Sequence, residues 1–148
     1  LRATEKSSSI LYPSNIGNFI GNLTIAAGTV IENAVGGTGN DRLTAKGGSN
    51  LLDGGEGSDV FVINKSHANV DPHNKRTTIN DFSFEDKIHV GGMVDRIFVH
   101  ERLINGLAET FVYGLNATRD YVAVANLKHG DGYQGEDLIL VNGDISIA

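Results

Sequence analysis

Several segments of the 148-residue chain alternate apolar and polar positions in twos, and no long helical period appears anywhere. That alternation predicts strands at Lys87 to Val90, Arg96 to Val99, Glu109 to Tyr113, Tyr121 to Leu127 and Asp137 to Val141, several of them half-buried antiparallel strands. Upstream, Leu23-Thr24-Ile25 and Thr29-Val30-Ile31 read as short strands, and Ile16 to Asn22 as turns with one short strand. Asn64 to Thr78 is a polar loop containing Pro72, and at most a turn or two of helix is expected around Asp81 to Asp86. The pattern predicts an all-β protein.

Between these zones the period changes from two to nine. Gly36-Gly37-Thr38-Gly39-Asn40-Asp41-Arg42-Leu43-Thr44 and Gly54-Gly55-Glu56-Gly57-Ser58-Asp59-Val60-Phe61-Val62 both fit GGxGxDxUx, where U is a large apolar residue. Ala45 to Asp53 between them is a degenerate copy in the same register, with Asn50 where Asp is expected. The glycines permit a tight turn that points carbonyls at one spot, the Asp adds a charged oxygen, and the short extended segment after it sends Leu43, Leu52 or Phe61 into a shared core. Nonapeptides of this kind are the calcium-binding RTX repeats of parallel β-rolls.

One unit makes half a coil, so units two apart stack on the same edge and the turn of Asp41 lies beside that of Asp59. About six hard oxygens around one ion suit calcium, whereas zinc and copper favour nitrogen or sulfur. The expected ligands are Gly37, Gly39 and Asp41 from one turn with Gly54, Glu56 and Asp59 from the next, the non-aspartates through their carbonyls. On the opposite edge Gly47 and Asn50 face Val30 and Glu32, with Glu32 preceding Asn50 by the same spacing. A Glu/Asn pair carries one formal charge fewer than Asp/Asp, which predicts a weaker calcium site.

Composition narrows the reading further. An apolar content of 40% suffices for a core, and nineteen glycines against two prolines favour a turn-rich β protein over a disordered tract. A net charge of −6 argues against nucleic acid or an anionic membrane as the main partner. Without cysteine there is neither a disulfide framework nor a thiolate metal site. No apolar run approaches 18 residues and no signal peptide is visible, so no membrane insertion is expected; a chain that does not begin with Met is expected to be part of something longer.

Catalytic motifs are missing. No HExxH occurs: His100-Glu101-Arg102-Leu103-Ile104 lacks the second His that would place two imidazoles on one helical face, and the other histidines (67, 73, 89, 129) are scattered. Ser66, His67 and Asp71 share one polar loop without a nucleophile elbow. Glu85/Asp86 and Glu136/Asp137 are sequence neighbours, so in extended chain they face opposite ways and cannot act as a dyad.

The run from Gly21 to Asp41 (Gly21-Asn22-Leu23-Thr24-Ile25-Ala26-Ala27-Gly28-Thr29-Val30-Ile31-Glu32-Asn33-Ala34-Val35 and the first repeat) resembles the start of the C-terminal RTX domain of serralysin-type (peptidase M10) secreted metalloproteases. The likeness continues through Asp59 to Val62, Thr78-Ile79-Asn80-Asp81-Phe82 and Asp86-Lys87-Ile88, and becomes looser after His89, which stands where an Asp is common. The resemblance implies a parallel β-roll with calcium in its turns, capped by an antiparallel sheet, and adds Asp81 and Asp86 as candidate ligands, with a solvated turn as their alternative. It divides the chain into an N-terminal segment (1–22), a calcium-binding roll (23–63) and a C-terminal β cap with an export signal (64–148). The implied partners are calcium ions, an ABC-type exporter and the catalytic domain of the parent protein, and the implied location is extracellular. Asp144 to Ala148, an acidic residue and a short apolar tail, resembles the family's terminal export motif, with an edge strand of the cap as the alternative; these residues are expected to lie far from the roll. The competing function is recognition of polysaccharide or a surface ligand, as in epimerase-associated and adhesin RTX modules, through aromatics such as Tyr113, Tyr121 and Tyr133.

Overall fold

A computed structural model describes residues 14–16, 19–23, 33–45, 49–63, 77–128 and 135–148; at 14–16, 19–23 and 136 it describes the backbone alone. Strands β1 (Ser14–Ile16) and β2 (Phe19–Leu23) form a small antiparallel hairpin. The nine-residue units then lay down alternating strands: β3 (Asn33–Gly37), β4 (Arg42–Thr44), β5 (Leu51–Gly55) and β6 (Val60–Val62). As the period requires, alternate strands stack in parallel, with Ala34 beside Leu52 on one side of the coil and Leu43 beside Phe61 on the other.

A third rung follows that has no nonapeptide. β7 (Thr77–Ile79) pairs in parallel with β5, and β8 (Lys87–His89) pairs in parallel with β6, aligning Leu52 with Ile79 and Phe61 with Ile88. The parallel stack thus runs past the expected boundary at 63 and includes both ends of the Asp81 to Asp86 turn. That turn holds no helix; short 3-10 turns occur instead at Gly91–Met93 and Gly135–Asp137.

Two sheets grow from the two sides of the roll. On one side β7 is followed by β11 (Tyr121–Lys128), β10 (Leu107–Leu115) and β9 (Arg96–Ile104), giving the order β3-β5-β7-β11-β10-β9. On the other, β8 is joined by β13 (Asp144–Ile147) and then β12 (Leu138–Val141), giving β12-β13-β8-β6-β4. Leu43, Leu52 and Phe61 are buried between the sheets as the repeat predicts, together with Ile79, Phe82, Ile88, Val112, Leu127 and Ile145. The Phe61 and Phe82 rings meet at 6.3 Å, so the third rung is sealed against the second by aromatic packing.

The placement of the last strand overturns one expectation. Asp144 to Ala148 does not lie far from the roll, nor does it form an edge: β13 sits between β12 and β8, Ile145 is fully buried opposite Ile88, and Asp144 opposite His89. The apolar alternation Ile145/Ile147, read as a tail, is the core-facing period of a central strand.

Candidate metal centre

Three turns stack on one edge of the roll, at 38–41, 56–59 and 80–86, because each joins strands that pair with those of the next coil. Their aspartates form a staircase. The Asp41 amide donates to Asp59 Oδ1 at 2.7 Å, and the Asp59 amide donates to Asp86 Oδ1 at 2.8 Å. At the top, Asp41 Oδ2 accepts from the Gly37 amide at 2.8 Å; at the bottom, Asp86 Oδ2 accepts from Ser83 at 2.8 Å. Backbone bonds run in parallel, from Val60 to the Asp41 carbonyl and from Lys87 to the Asp59 carbonyl, each 2.9 Å.

Asp81 enters from the third rung, its two carboxylate oxygens accepting from the Gly54 (2.9 Å) and Gly55 (2.7 Å) amides. Asp81 and Asp86 are therefore built into the stack rather than solvated. Asp59 and Asp86 are buried, Asp41 and Asp81 half-buried, and Glu56 exposed with its amide donating to the Gly37 carbonyl at 2.9 Å. That carbonyl retains a second lone pair. The glycines are needed where the coils touch: Gly55 has φ +90°, and a Cβ there would fall on the Gly37 carbonyl oxygen, while a Cβ at Gly54 would fall on Asp59 Oδ2.

Electrostatically this edge is frustrated. Asp59 is 1% exposed, its Oδ2 is buried without a hydrogen-bond partner, and no Lys or Arg pairs with Asp41, Asp59, Asp81 or Asp86 among the described residues. Burial pushes the Asp59 carboxyl above the usual carboxylate range; the Asp41 amide opposes this, and the charges of Asp86, Asp41 and Asp81 add to it. Burial likewise raises Asp53, whose carboxyl also hydrogen-bonds Asp81 and feels its charge, against a lowering contact from Asn80. Asp53 is absent from the ligand set expected from the repeats. Its signal is the pairing of Leu52 with Ile79, which brings position 53 alongside 80 and 81, and this depends on the length of an irregular connection rather than on a period.

No cluster of three or more His, Cys, Asp or Glu side chains is shaped for a metal among the described residues, so any ion here draws on carbonyl oxygens as well. Of the opposite edge, Asn50 is buried and its carbonyl accepts from Thr78 at 2.7 Å, whereas Val30, Glu32 and Gly47 lie outside the described residues. Glu85 is exposed while Asp86 is buried, and the two sit in a turn closed by the Asp86 amide donating to the Ser83 carbonyl rather than in extended chain. His100 is exposed on β9, and His89 Nδ1 lies 2.6 Å from Asp144 Oδ1; His67, His73, His129, Ser66, Asp71 and Tyr133 lie outside the described residues. Tyr121 is exposed against Phe98 at 5.7 Å, and Tyr113 is half-buried.

No helix among the described residues is long and apolar enough to cross a membrane. No curated protein matches the chain. The family model described as Peptidase M10 serralysin C terminal matches residues 8–125, spanning the hairpin, the roll and β9 to most of β11. The chain belongs to that family, the non-catalytic C-terminal module of serralysin-type secreted metallopeptidases.

Proposed function

We propose that this module is a calcium-dependent folding switch. The observation that carries the reading is the orphaned, buried Asp59 Oδ2 in an edge lined by Asp41, Asp81 and Asp86 without a cationic side chain. An all-oxygen donor set with surplus negative charge fits calcium. Asp41 and Asp59 would hold the ion between the first two turns, with the carbonyls of Gly37, Gly39, Gly54 and Glu56. Asp81 and Asp86 extend the donor set towards the third turn. On the opposite edge, Val30, Glu32, Gly47 and Asn50 would form the weaker site.

When bound, calcium supplies the positive charge that these carboxylates lack. The rest is done by the chain. Without the ion, like charges stack at successive turns, and Gly-rich turns have a large conformational entropy to lose, so the roll stays loose in a calcium-poor cytoplasm. Outside the cell, an ion that binds only the folded roll stabilises it by about 2.7 kcal/mol at a hundred-fold excess over Kd. The module would leave the cell through an ABC-type exporter while unfolded, with Asp144 to Ala148 read as the signal, and would then fold beside the catalytic domain of its parent protease. Family membership favours this reading over glycan recognition.

Thermal melts in millimolar calcium and in chelator test the switch. A large upward shift of the midpoint with calcium is expected; equal midpoints would refute it. Loss of export by a cognate exporter on deleting Asp144 to Ala148 tests the signal, and full secretion of the truncated chain would remove it.

A further inference from the structure

Among the described residues β9 closes the six-stranded sheet, and its outer edge pairs with no other strand. It is nine residues long, keeps unbroken register with β10, and contains no proline, lysine or bulge, the usual guards of an edge. Its charged residues are Arg96, Arg102 and, on the core-side face, Glu101, whose Oε1 is occupied by the Gly135 amide at 2.6 Å. Along the same strand Phe98 (41%), Val99 (36%) and Leu103 (77%) are exposed. A long, unbroken, partly apolar edge of this kind is a template for another strand.

The order of residues along β9 states which strand fits. Pairing with β10 puts Ile97, Val99, Glu101 and Leu103 on one face, with Val112 and Gly114, and Phe98, His100 and Arg102 on the other. We propose that two copies of this chain associate through β9, antiparallel, with the two His100 residues facing each other at the twofold axis. In that register Ile97 of each copy faces Leu103 of the other on the core-side face. Phe98 faces Arg102 on the outer face, where a guanidinium over a ring is favourable, and Phe98 is already braced by Tyr121 at 5.7 Å. Val99 faces Glu101, whose carboxylate is held by Gly135.

Other registers are worse. A shift of one residue mixes the two faces. Centring on Val99 opposes Arg96 and Arg102, and centring on Glu101 opposes two carboxylates, both like-charge pairs. The dimer would carry one continuous sheet through both molecules, leaving the metal-binding edges of the two rolls at its far ends.

Absence of cysteine makes the register directly testable in the full chain loaded with calcium. Sedimentation equilibrium should show the mass rising from 15.7 kDa towards twice that value with concentration. Leu103→Lys, at an exposed position, should raise the dissociation constant at least tenfold. His100→Cys should form a covalent dimer on mild oxidation, since facing Cα atoms in an antiparallel pair lie about 4.5–5.5 Å apart, within disulfide reach. Leu107→Cys, exposed but on β10, should cross-link far less. A chain that stays monomeric to millimolar concentration overturns the proposal. So does a dimer indifferent to Leu103→Lys, or His100→Cys cross-linking no better than Leu107→Cys.

Discussion

The roll edge and the β9–β11 sheet are built from the same kind of strand yet are held by opposite means. In the β9–β11 sheet, long strands share seven and nine residue pairs, the first set with a bulge between Val112 and Tyr113, and Val112, Val122, Val124 and Leu127 bury apolar surface. In the roll, β4 and β6 are three residues long, and their turns stack carboxylates on backbone amides. The first arrangement rests on long ladders and on the apolar surface that β10 and β11 bury. The second has a hydrogen-bond ladder whose charges oppose it; under the proposed calcium switch, one molecule would contain a constitutive part and a conditional part.

The largest effect is expected from removing β13, the strand that extends the roll on the side away from the β9–β11 sheet. Deleting Asp144 to Ala148 takes away buried Ile145 and Ile147; each such loss costs about 2–5 kcal/mol, against a typical domain stability of about 5–15 kcal/mol. The calcium-loaded melt should collapse or drop by more than about 10 °C, read by circular dichroism. An unchanged melt would show that β13 is dispensable to the roll.

Next in size is the conditional part alone. Asp59→Ala should raise the calcium concentration needed for folding about tenfold or more, whereas Asn50→Ala should shift it little, because Asn50 is at best a neutral ligand of the weaker edge. Calcium titrations followed by fluorescence or calorimetry decide, and equal shifts would erase the distinction between the edges.

Acidity probes the same frustration without mutation. The raised Asp59 and Asp53 carboxyls hold their protons more tightly folded than unfolded. Their contribution is thus present below the unfolded value of about 3.9 and lost as pH rises through the raised values. In chelator the melting midpoint should fall as pH rises above the ordinary carboxylate range. In calcium that fall should vanish or reverse. A midpoint in chelator that climbs with pH would contradict the burial of an uncompensated charge.

The smallest effect belongs to the β9–β11 sheet. Leu103→Lys, 77% exposed, should change the stability of the monomer by no more than about 0.5 kcal/mol in calcium or chelator.

The roll was legible because its period is physical: a nine-residue half-coil forces Leu43 over Phe61 and Asp41 over Asp59, with no information needed from afar. The third rung was legible only by resemblance. Its strands join the stack across a non-repetitive connection, so no period announces that Asp86 continues the staircase or that Asp53 meets Asp81. Strand positions in the cap followed from alternation, but β9 and β10 run beyond it, to Ile104 and from Leu107, because a tight turn at Asn105-Gly106, both at positive φ, lets the hairpin extend past the core. The central place of β13 was invisible for the converse reason. Nothing in Asp144 to Ile147 distinguishes an edge strand from one flanked on both sides, since that depends on which distant partner claims it.

Where β13 sits also sets the order of events in time. Neighbouring coils of the roll meet across a sequence separation of 18, while His89 and Asp144 must find each other across 55. Loop closure of that length is entropically dearer, and pairings between distant strands are the slow ones. The β12–β13 hairpin, closed by Asn142-Gly143, can form within microseconds on its own. Docking of that hairpin onto β8 is therefore expected to be slower than the stacking of neighbouring coils. Every residue of β8 is synthesised well before its partner exists, so this pairing stays open at least until Asp144 to Ile147 have been made.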